Sequence, residues 1–218
     1  MLASVLLSSV PHCFTGTDDG DHRPGADGDA AARLVSALGG RGAVRVVTQV
    51  HGARVVGAAG AGLDVEADAI VCTEPGVVVA VRVADCVPIL LAAPRGVAAV
   101  HAGWRGTAAD IARSALLALC EAAECDPSEV RGAIGPCICG RCYEVGDDVI
   151  RAVSRVAPGG SWRVGERNVD LGEANAAILS AEGVTIDRLH HCTRCGSGFW
   201  SHRRDGAASG RQVGAIRL

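Results

Sequence analysis

The sequence contains no lysine, so all of its 21 basic residues are arginines. Schiff-base catalysis and the phosphate-binding P-loop both require a lysine amine. Neither chemistry is therefore open to this chain. The other nucleotide-binding fingerprint, GxGxxG, is also missing from the glycine-rich stretch after His101.

Aromatic residues are scarce, at 3% of 218 residues, and basic residues are not in excess, since the net charge is −3. General nucleic-acid binding requires a strong basic surplus, so we expect no nucleic-acid partner. The chain is nevertheless 49% hydrophobic, which excludes wholesale disorder. A core of this composition must be built from Val, Leu, Ile and Ala.

Long apolar runs are absent as well. No stretch reaches the roughly 18 apolar residues that a membrane span needs, so we expect no membrane partner. The short apolar run Met1–Val10 has no basic residue ahead of it and is a poor signal peptide. The 10 cysteines are clustered in a way that favours metal or redox chemistry over scattered disulfides, which predicts a thiol-reducing, cytoplasmic setting.

Hydrophobic periodicity predicts a single α+β domain in which mixed β-sheets are sandwiched between helices. Helices are expected over Ala30–Leu38, from Thr107 to about Ala123 with Thr107 and Asp110 as a capping box, around Val145–Val153, and over Leu171–Ala181. Strands are expected over Ala43–Val50, Arg54–Ala58, Val77–Val83, Val87–Leu91, Gly96–Val100, Val130–Ile134, Val184–Leu189 and Gln212–Leu218.

Three polar interruptions of apolar strand regions each carry one soft metal ligand: His51, Cys86 and His101. Three protein ligands leave a fourth tetrahedral position free, as in a catalytic zinc site. The alternative is that the histidines are ordinary turn residues and the cysteine is a small core residue. Spacing alone leaves both interpretations open.

Two arginine-bearing stretches could hold an anion. Arg105 lies in a Gly-Trp-Arg-Gly segment that leads into a predicted helix start, where backbone N–H groups attract phosphate. Arg203 lies in an arginine-rich tail beside an aromatic pair, which suits a clamp for a nucleoside-like ligand. The alternatives are an ordinary glycine turn and a solvated arginine loop.

Four further cysteines form two Cys-x2-Cys pairs, Cys139 with Cys142 and Cys192 with Cys195. Such pairs are the two halves of a four-cysteine zinc site, but the gap of about 50 residues exceeds that of compact zinc ribbons. A zinc nucleoside deaminase of the cytidine type is excluded, because its His-x-Glu signature occurs nowhere in the chain.

Taken together, the ordered motifs QVHG, ADCVP, HAGWRG, GPCI, CYEVG, CT, FWSHRRDG and GR resemble the laccase-domain family, also called the polyphenol oxidase or peptidoglycan-editing-factor family. The resemblance covers about residues 44–218. It implies an α+β fold, a zinc triad of His51, Cys86 and His101, and phosphorolysis of purine nucleosides (adenosine, inosine, guanosine, methylthioadenosine) together with deamination of adenosine. Gln49 and Cys137 belong to these motifs, and we expect both to contact substrate with Arg105 and Arg203.

The N-terminal segment departs from the family pattern. The family carries a Phe-x-Thr-Arg-x-Gly-Gly loop, whereas this chain has Phe14 followed by Thr-Gly-Thr-Asp-Asp-Gly and lacks the arginine. Either Arg23 substitutes for it or this member differs in substrate. We therefore take residues 1–218 as one domain with a divergent segment over 1–42.

The leading hypothesis is a zinc-dependent purine nucleoside phosphorylase and adenosine deaminase with purine nucleoside and phosphate as substrates. Asp85 or Glu144 would move the proton, and Arg105 would hold phosphate. The first alternative is copper-dependent oxidation of phenols, although no His-x-His pair for a trinuclear copper centre is present. The second is a non-enzymatic scaffold stabilised by zinc at the four cysteines.

Overall fold

Three consecutive apolar strands form the centre of the computed structural model, which describes residues 1–27 and 29–218. The strands are Val78–Val83, Val87–Ala93 and Gly96–Ala102, and nearly all of their residues are buried. Residues rich in Val and Leu suit a pleated sheet that is covered on both faces.

Within the described residues, nine strands and six helices follow one another. In chain order they are β1 (His12–Phe14), α1 (Ala30–Ala37), β2 (Val55–Gly57), β3 (Ala69–Cys72), β4 (Val78–Val83), β5 (Val87–Ala93), β6 (Gly96–Ala102), α2 (Trp104–Ala108), α3 (Ile111–Ala123), β7 (Arg131–Ile134), α4 (Asp147–Ser154), α5 (Leu171–Ala181), β8 (Thr185–Arg188), α6 (His202–Asp205) and β9 (Gln212–Arg217). Short 3-10 turns occur at Thr17–Asp19, Ala58–Gly60, Pro127–Glu129, Gly140–Cys142 and Gly206–Ala208.

The strands form two sheets. The smaller has the order β1-β9-β4 and is antiparallel. The larger has the order β2-β3-β6-β5-β7-β8 and is mixed, since β2 pairs parallel with β3 and β7 pairs parallel with β8. Mixed sheets between helices are what the sequence predicts, and this fold class is confirmed.

Alternation along each strand explains the stacking of the layers. In β5, Ile89 and Leu91 pack towards the cluster that includes α3 and α5, whereas Leu90 packs towards the smaller sheet. In β4, Val79 faces the larger sheet while Val78 faces α1. Because side chains alternate with a period of two, each sheet buries both of its faces. The layers are therefore α1, the smaller sheet, the larger sheet, and the helices α3, α4 and α5.

The predicted strand over Ala43–Val50 is wrong. Only isolated parallel bridges form there, from Arg45 to Val79 and from Thr48 to Glu66. The cause lies in Gln49, whose side-chain amide donates to the carbonyl of Arg82 at 2.7 Å and accepts from its N–H at 2.8 Å. The Gln49 side chain thus makes the two hydrogen bonds to the Arg82 backbone that the backbone of a neighbouring strand would otherwise make.

The single helix predicted from Thr107 is also wrong, because it is two helices. The first begins at Trp104, and Asp110, which precedes the second, has a left-handed φ of 63° that breaks the helical path. Thr107 is no helix cap, since its hydroxyl is buried and accepts from the Asn175 amide at 2.9 Å.

The bounds predicted for α5 are confirmed, and the other predicted helices and strands appear with shifts of a few residues. The sequence analysis missed β1, β3 and the short helix α6. β3 is a run of only four residues, Ala69–Cys72, all of which are buried. Among the described residues, no helix combines the length and the apolar character needed to cross a membrane.

Candidate metal centre and cleft

The structure brings His51, Cys86 and His101 together. One ligand atom from each lies within 4.8 Å of the other two, and the imidazole rings meet edge to face with centroids 4.8 Å apart. His51 lies in the turn before β2, Cys86 precedes β5, and His101 lies near the end of β6. The three residues are exposed, half-buried and buried respectively, so the group opens to solvent on the His51 side.

A fully buried carboxylate, Asp68, fixes two of these ligands. It accepts the backbone N–H of His51 at 3.0 Å and of Gly52 at 2.7 Å, and it is 2.8 Å from Nδ1 of His101. His51 has a left-handed φ of 61°, a conformation that costs a non-glycine residue energy. The carboxylate offsets this cost and leaves Nε2 of His101 to face the centre. Metal-binding histidines are typically oriented by carboxylates in this way.

A second carboxylate, Asp85, fixes the turn that carries Cys86. Asp85 is buried and has a φ of 84°. Its two oxygens accept the Thr193 hydroxyl at 2.6 Å and the Arg203 backbone N–H at 2.6 Å. The carboxylate is thus engaged with the chain itself, which makes Asp85 a positioning residue for the adjacent cysteine.

The ligands influence each other's protonation. Burial raises the pKa of the Cys86 thiol, but the charge and hydrogen bonding of His101 and His51 outweigh burial and lower it to about 6. Burial lowers the pKa of His101, but Cys86 and Asp68 outweigh burial and raise it to about 9. The pair therefore favours a thiolate facing an imidazolium, and a thiolate is the form of cysteine that binds metals.

The donor set fits a divalent metal ion. Zinc bonds of about 2.0–2.3 Å put tetrahedral nitrogen and sulfur ligands about 3.5 Å apart. Cys86 Sγ and His51 Nε2 are 3.9 Å apart, so a shift of a few tenths of an ångström would complete the geometry. Gly103 makes the approach possible: a Cβ there would lie 2.8 Å from the His51 ring and 3.1 Å from Cys86 Sγ.

The three ligands lie in a cleft of about 820 Å³. The cleft is lined by Arg23, Pro24, Thr48, Gln49, His51, Leu63, Arg82, Val83, Ala84, Cys86, His101, His202 and Arg211. Its mixture of apolar side chains and a few convergent polar groups is typical of a small-molecule site.

Arginines give the cleft its charge. Arg82 and Arg211 donate to backbone carbonyls, Arg82 to that of Val47 at 2.7 Å and Arg211 to that of Ser209 at 2.9 Å. Across residues 1–27 and 29–218, neither forms an ion pair. Burial, and then the charge of Arg211, lower the pKa of Arg82. Arg23 also reaches the cleft but pairs with Asp21 at 2.7 Å.

Several residues predicted to form the site lie outside this cleft. Arg105 is exposed and stacks on Trp104 at 4.3 Å. Glu144 is exposed, and its carboxylate lies 3.7 Å from Arg167. Cys137 is buried and borders a separate cavity next to Cys192. Arg105, Glu144 and Cys137 are therefore not among the residues that line the cleft.

The other two residues predicted to contact substrate, Gln49 and Arg203, lie near the metal ligands, but their polar groups are already hydrogen bonded within the protein. Gln49 lines the cleft, yet its amide is paired with the backbone of Arg82. The guanidinium of Arg203 lies 5.0 Å above the Tyr143 ring and donates to the Glu144 carbonyl at 3.1 Å. Both side chains are therefore held by the protein next to the turns that carry His51 and Cys86.

The sequence analysis missed Asp68 and Arg82, and it took His202 and Arg211 only as members of the arginine-rich tail. Two signals could have found the first two. Asp68 is the last of three alternating carboxylates and stands directly before an apolar run, and Arg82 is a charged residue inside the apolar strand β4. Arg211 belongs to the GR motif already quoted, where only its position in the fold reveals that it faces the cleft.

Comparison with known sequences gives one family and named relatives. The profile of a family described as "Multi-copper polyphenol oxidoreductase laccase" matches residues 15–218. A protein of Deinococcus radiodurans named "Purine nucleoside phosphorylase" is 38% identical over 97% of this chain and 85% of its own length. "Adenosine deaminase RL5", from an unknown prokaryotic organism, is 40% identical over 68% of this chain and 61% of its own length.

Solved structures show the same fold. YlmD from Geobacillus stearothermophilus superposes with a TM-score of 0.74 at 32% identity, covering 86% of this chain and 78% of that one. A hypothetical protein, YfiH, from Bacillus licheniformis gives a TM-score of 0.82 at 26% identity, covering 97% of this chain and 94% of that one.

Proposed function

This chain belongs to the multi-copper polyphenol oxidoreductase laccase family, and from that premise we propose that it is a zinc-dependent purine nucleoside phosphorylase that also deaminates adenosine. The observation that carries the proposal is the convergence of His51, Cys86 and His101 in a cleft that is also lined by Arg82 and Arg211. Among residues 1–27 and 29–218, neither arginine pairs with an acidic side chain. The names of the relatives support an enzyme over a scaffold without activity. We keep the cytoplasm as its setting and residues 1–218 as one domain, divergent over 1–42.

Zinc is the metal that the ligands suit best. A bound zinc ion would act as a Lewis acid and supply hydroxide near neutral pH. Two imidazoles and one thiolate match a catalytic zinc site with one open position. Copper electron-transfer sites of this type add a weak axial methionine. The chain has one methionine, Met1, which is exposed and is not among the residues that line the cleft.

Phosphate is assigned to Arg82 and Arg211 in place of Arg105. Two guanidinium groups that repel each other gain most from an anion placed between them, because it removes the repulsion and accepts their free N–H groups. Arg23 lies at the same cleft and is bound to Asp21. It takes the place of the arginine that is missing after Phe14.

Proton transfer to the purine is assigned to His202 instead of Asp85 or Glu144. His202 lines the cleft, and its Nδ1 lies 3.0 Å from the carbonyl of Gly206. That carbonyl accepts the Nδ1 proton, so Nε2 is left to exchange a proton with a substrate. Asp85 remains a positioning residue.

The test is a nucleoside panel assayed with and without phosphate. We expect release of free base from inosine and adenosine to require phosphate, and release of ammonia from adenosine to be independent of it. Cys86→Ser should abolish both, and Cys125→Ser, a half-buried cysteine outside the cleft, should abolish neither. A Cys86→Ser protein with full turnover of both nucleosides would refute the proposal.

The family description favours a second candidate, copper-dependent oxidation of phenols. Metal analysis of protein purified without added metal separates the two. Copper at one equivalent together with oxygen consumption on phenols would establish the second candidate. Zinc with phosphate-dependent base release would exclude it.

A further inference from the structure

The two Cys-x2-Cys pairs lie side by side although about 50 residues separate them. The first pair follows β7 and the second follows β8, and these strands are parallel neighbours in which Ile134 aligns with Arg188. Chain ends that leave two parallel strands emerge at the same edge of the sheet. The helices α4 and α5 lie between the two pairs in the chain and account for the gap. The long spacing is therefore compatible with a four-cysteine site.

Backbone contacts hold the two pairs in register. Cys137 and Cys192 form a parallel bridge in which the Cys137 N–H donates to the His191 carbonyl at 3.2 Å and the Thr193 N–H donates to the Cys137 carbonyl at 3.1 Å. The Cys139 N–H donates to Cys192 Sγ at 3.3 Å. N–H groups aimed at a sulfur stabilise its thiolate form. Each pair is also closed as a tight turn, the first a 3-10 turn over Gly140–Cys142.

The four sulfur atoms of Cys139, Cys142, Cys192 and Cys195 all lie within 4.8 Å of one another. Zn–S bonds of about 2.3 Å require tetrahedral sulfurs about 3.8 Å apart. The four sulfurs are thus gathered around one centre to within the adjustment that binding would make. Three of the residues are half-buried and Cys195 is exposed, so an ion could enter from solvent.

We propose that these four cysteines form a second, structural metal site that binds one Zn²⁺ ion. Four protein ligands fill a tetrahedral ion and leave no position for substrate, so this site is structural rather than catalytic. It is separate from the triad in the cleft and shares no ligand with it.

The second site anchors the segment that positions Cys86. Cys192 is followed directly by Thr193, whose hydroxyl donates to Asp85 at 2.6 Å. Further along the same segment, the Arg203 N–H donates to the other oxygen of Asp85 at 2.6 Å. An ion that ties Cys192 and Cys195 to the loop after β7 would therefore stiffen the support of the cleft ligand next to Asp85.

The metal content of protein purified without added metal tests the site. We expect two zinc equivalents per chain in the wild type, one in Cys195→Ser and one in Cys86→Ser. Cys125→Ser, outside both groups, should keep two. One equivalent in the wild type that Cys195→Ser retains and Cys86→Ser loses would overturn the second site while leaving the proposed function intact. One equivalent in the wild type that Cys86→Ser retains and Cys195→Ser loses would refute the proposed function and leave this site standing.

Three further measurements test the site independently of zinc counting. Titration of metal-free wild type with Co²⁺ should give two sulfur-to-cobalt absorption steps, the larger from four thiolates and the smaller from one. Mass mapping of alkylated, unreduced protein should find the four cysteines as thiols, and disulfides among them would overturn the site. Hydrogen exchange over residues 192–204 should be faster in Cys195→Ser than in Cys125→Ser, and equal rates would overturn the anchoring role.

Discussion

Replacing Asp68 by asparagine removes the group that positions two of the three cleft ligands. One carboxylate oxygen lies near the His51 N–H and His101 Nδ1, and the other near the N–H groups of Gly52 and Val50. An amide retains one acceptor oxygen, and its NH₂ must face one of these pairs. A buried donor without a partner costs about 1–3 kcal/mol. We therefore expect Asp68→Asn to lower the free energy of unfolding by about 2–4 kcal/mol.

The same change should also weaken metal binding at the triad. Loss of a carboxylate behind a ligating histidine costs about 10- to 100-fold in metal affinity. Chelator competition gives the zinc dissociation constant, and urea unfolding of the metal-free protein gives the stability. Asp110→Asn is the matched control, because Asp110 is a half-buried carboxylate that pairs with Arg113 outside the cleft and away from the four cysteines. An Asp68→Asn protein whose zinc affinity stays within twofold of wild type would refute the positioning role.

Three further changes test other parts of the site. Gly103→Ala should empty the triad because its Cβ would displace two ligands, whereas Gly57→Ala, with open space around it, should leave metal content unchanged. Arg82→Gln should raise KM for phosphate about 10- to 100-fold, the cost of a charged hydrogen bond, and Arg45→Gln, on the surface, should not. Asp21 is partly desolvated, which raises its pKa, but hydrogen bonds from arginine groups hold that pKa below its ordinary value. Its stabilisation is complete above the unfolded pKa of about 3.9 and is lost as pH falls through the lower folded value, so Asp21→Asn should lose less unfolding free energy on acidification than wild type.

The sequence predicts the apolar elements of the fold well because their patterns are local. The β-branched run over Val77–Val83 and the helix Leu171–Ala181 reappear within a residue or so. The strand predicted over Ala43–Val50 is wrong because the side chain of Gln49 makes the hydrogen bonds that a strand backbone would make. No local sequence pattern indicates such a side-chain contact. The short strand β3 was missed because four buried residues carry too little periodicity to identify it.

The sequence predicts the three metal ligands of the candidate site but not the residues that hold them in place. His51, Cys86 and His101 are chemically distinctive residues in family motifs, so they could be selected from sequence and are found together. Asp68 and Arg82 lie beside the site only because the strands pair as they do, and the sequence alone does not show that pairing. Charge near glycines and aromatics predicts Arg105 and Arg203 as substrate contacts, and in the structure their guanidinium groups lie over the rings of Trp104 and Tyr143.

Reconstitution of metal-free protein with zinc tests the central claim most directly. Phosphate-dependent release of base from inosine should be absent without metal and should rise with occupancy of the Cys86-dependent site until that site is full. Cys86→Ser should stay inactive at any zinc concentration. Full activity in metal-free wild-type protein, or in Cys86→Ser, would contradict the account.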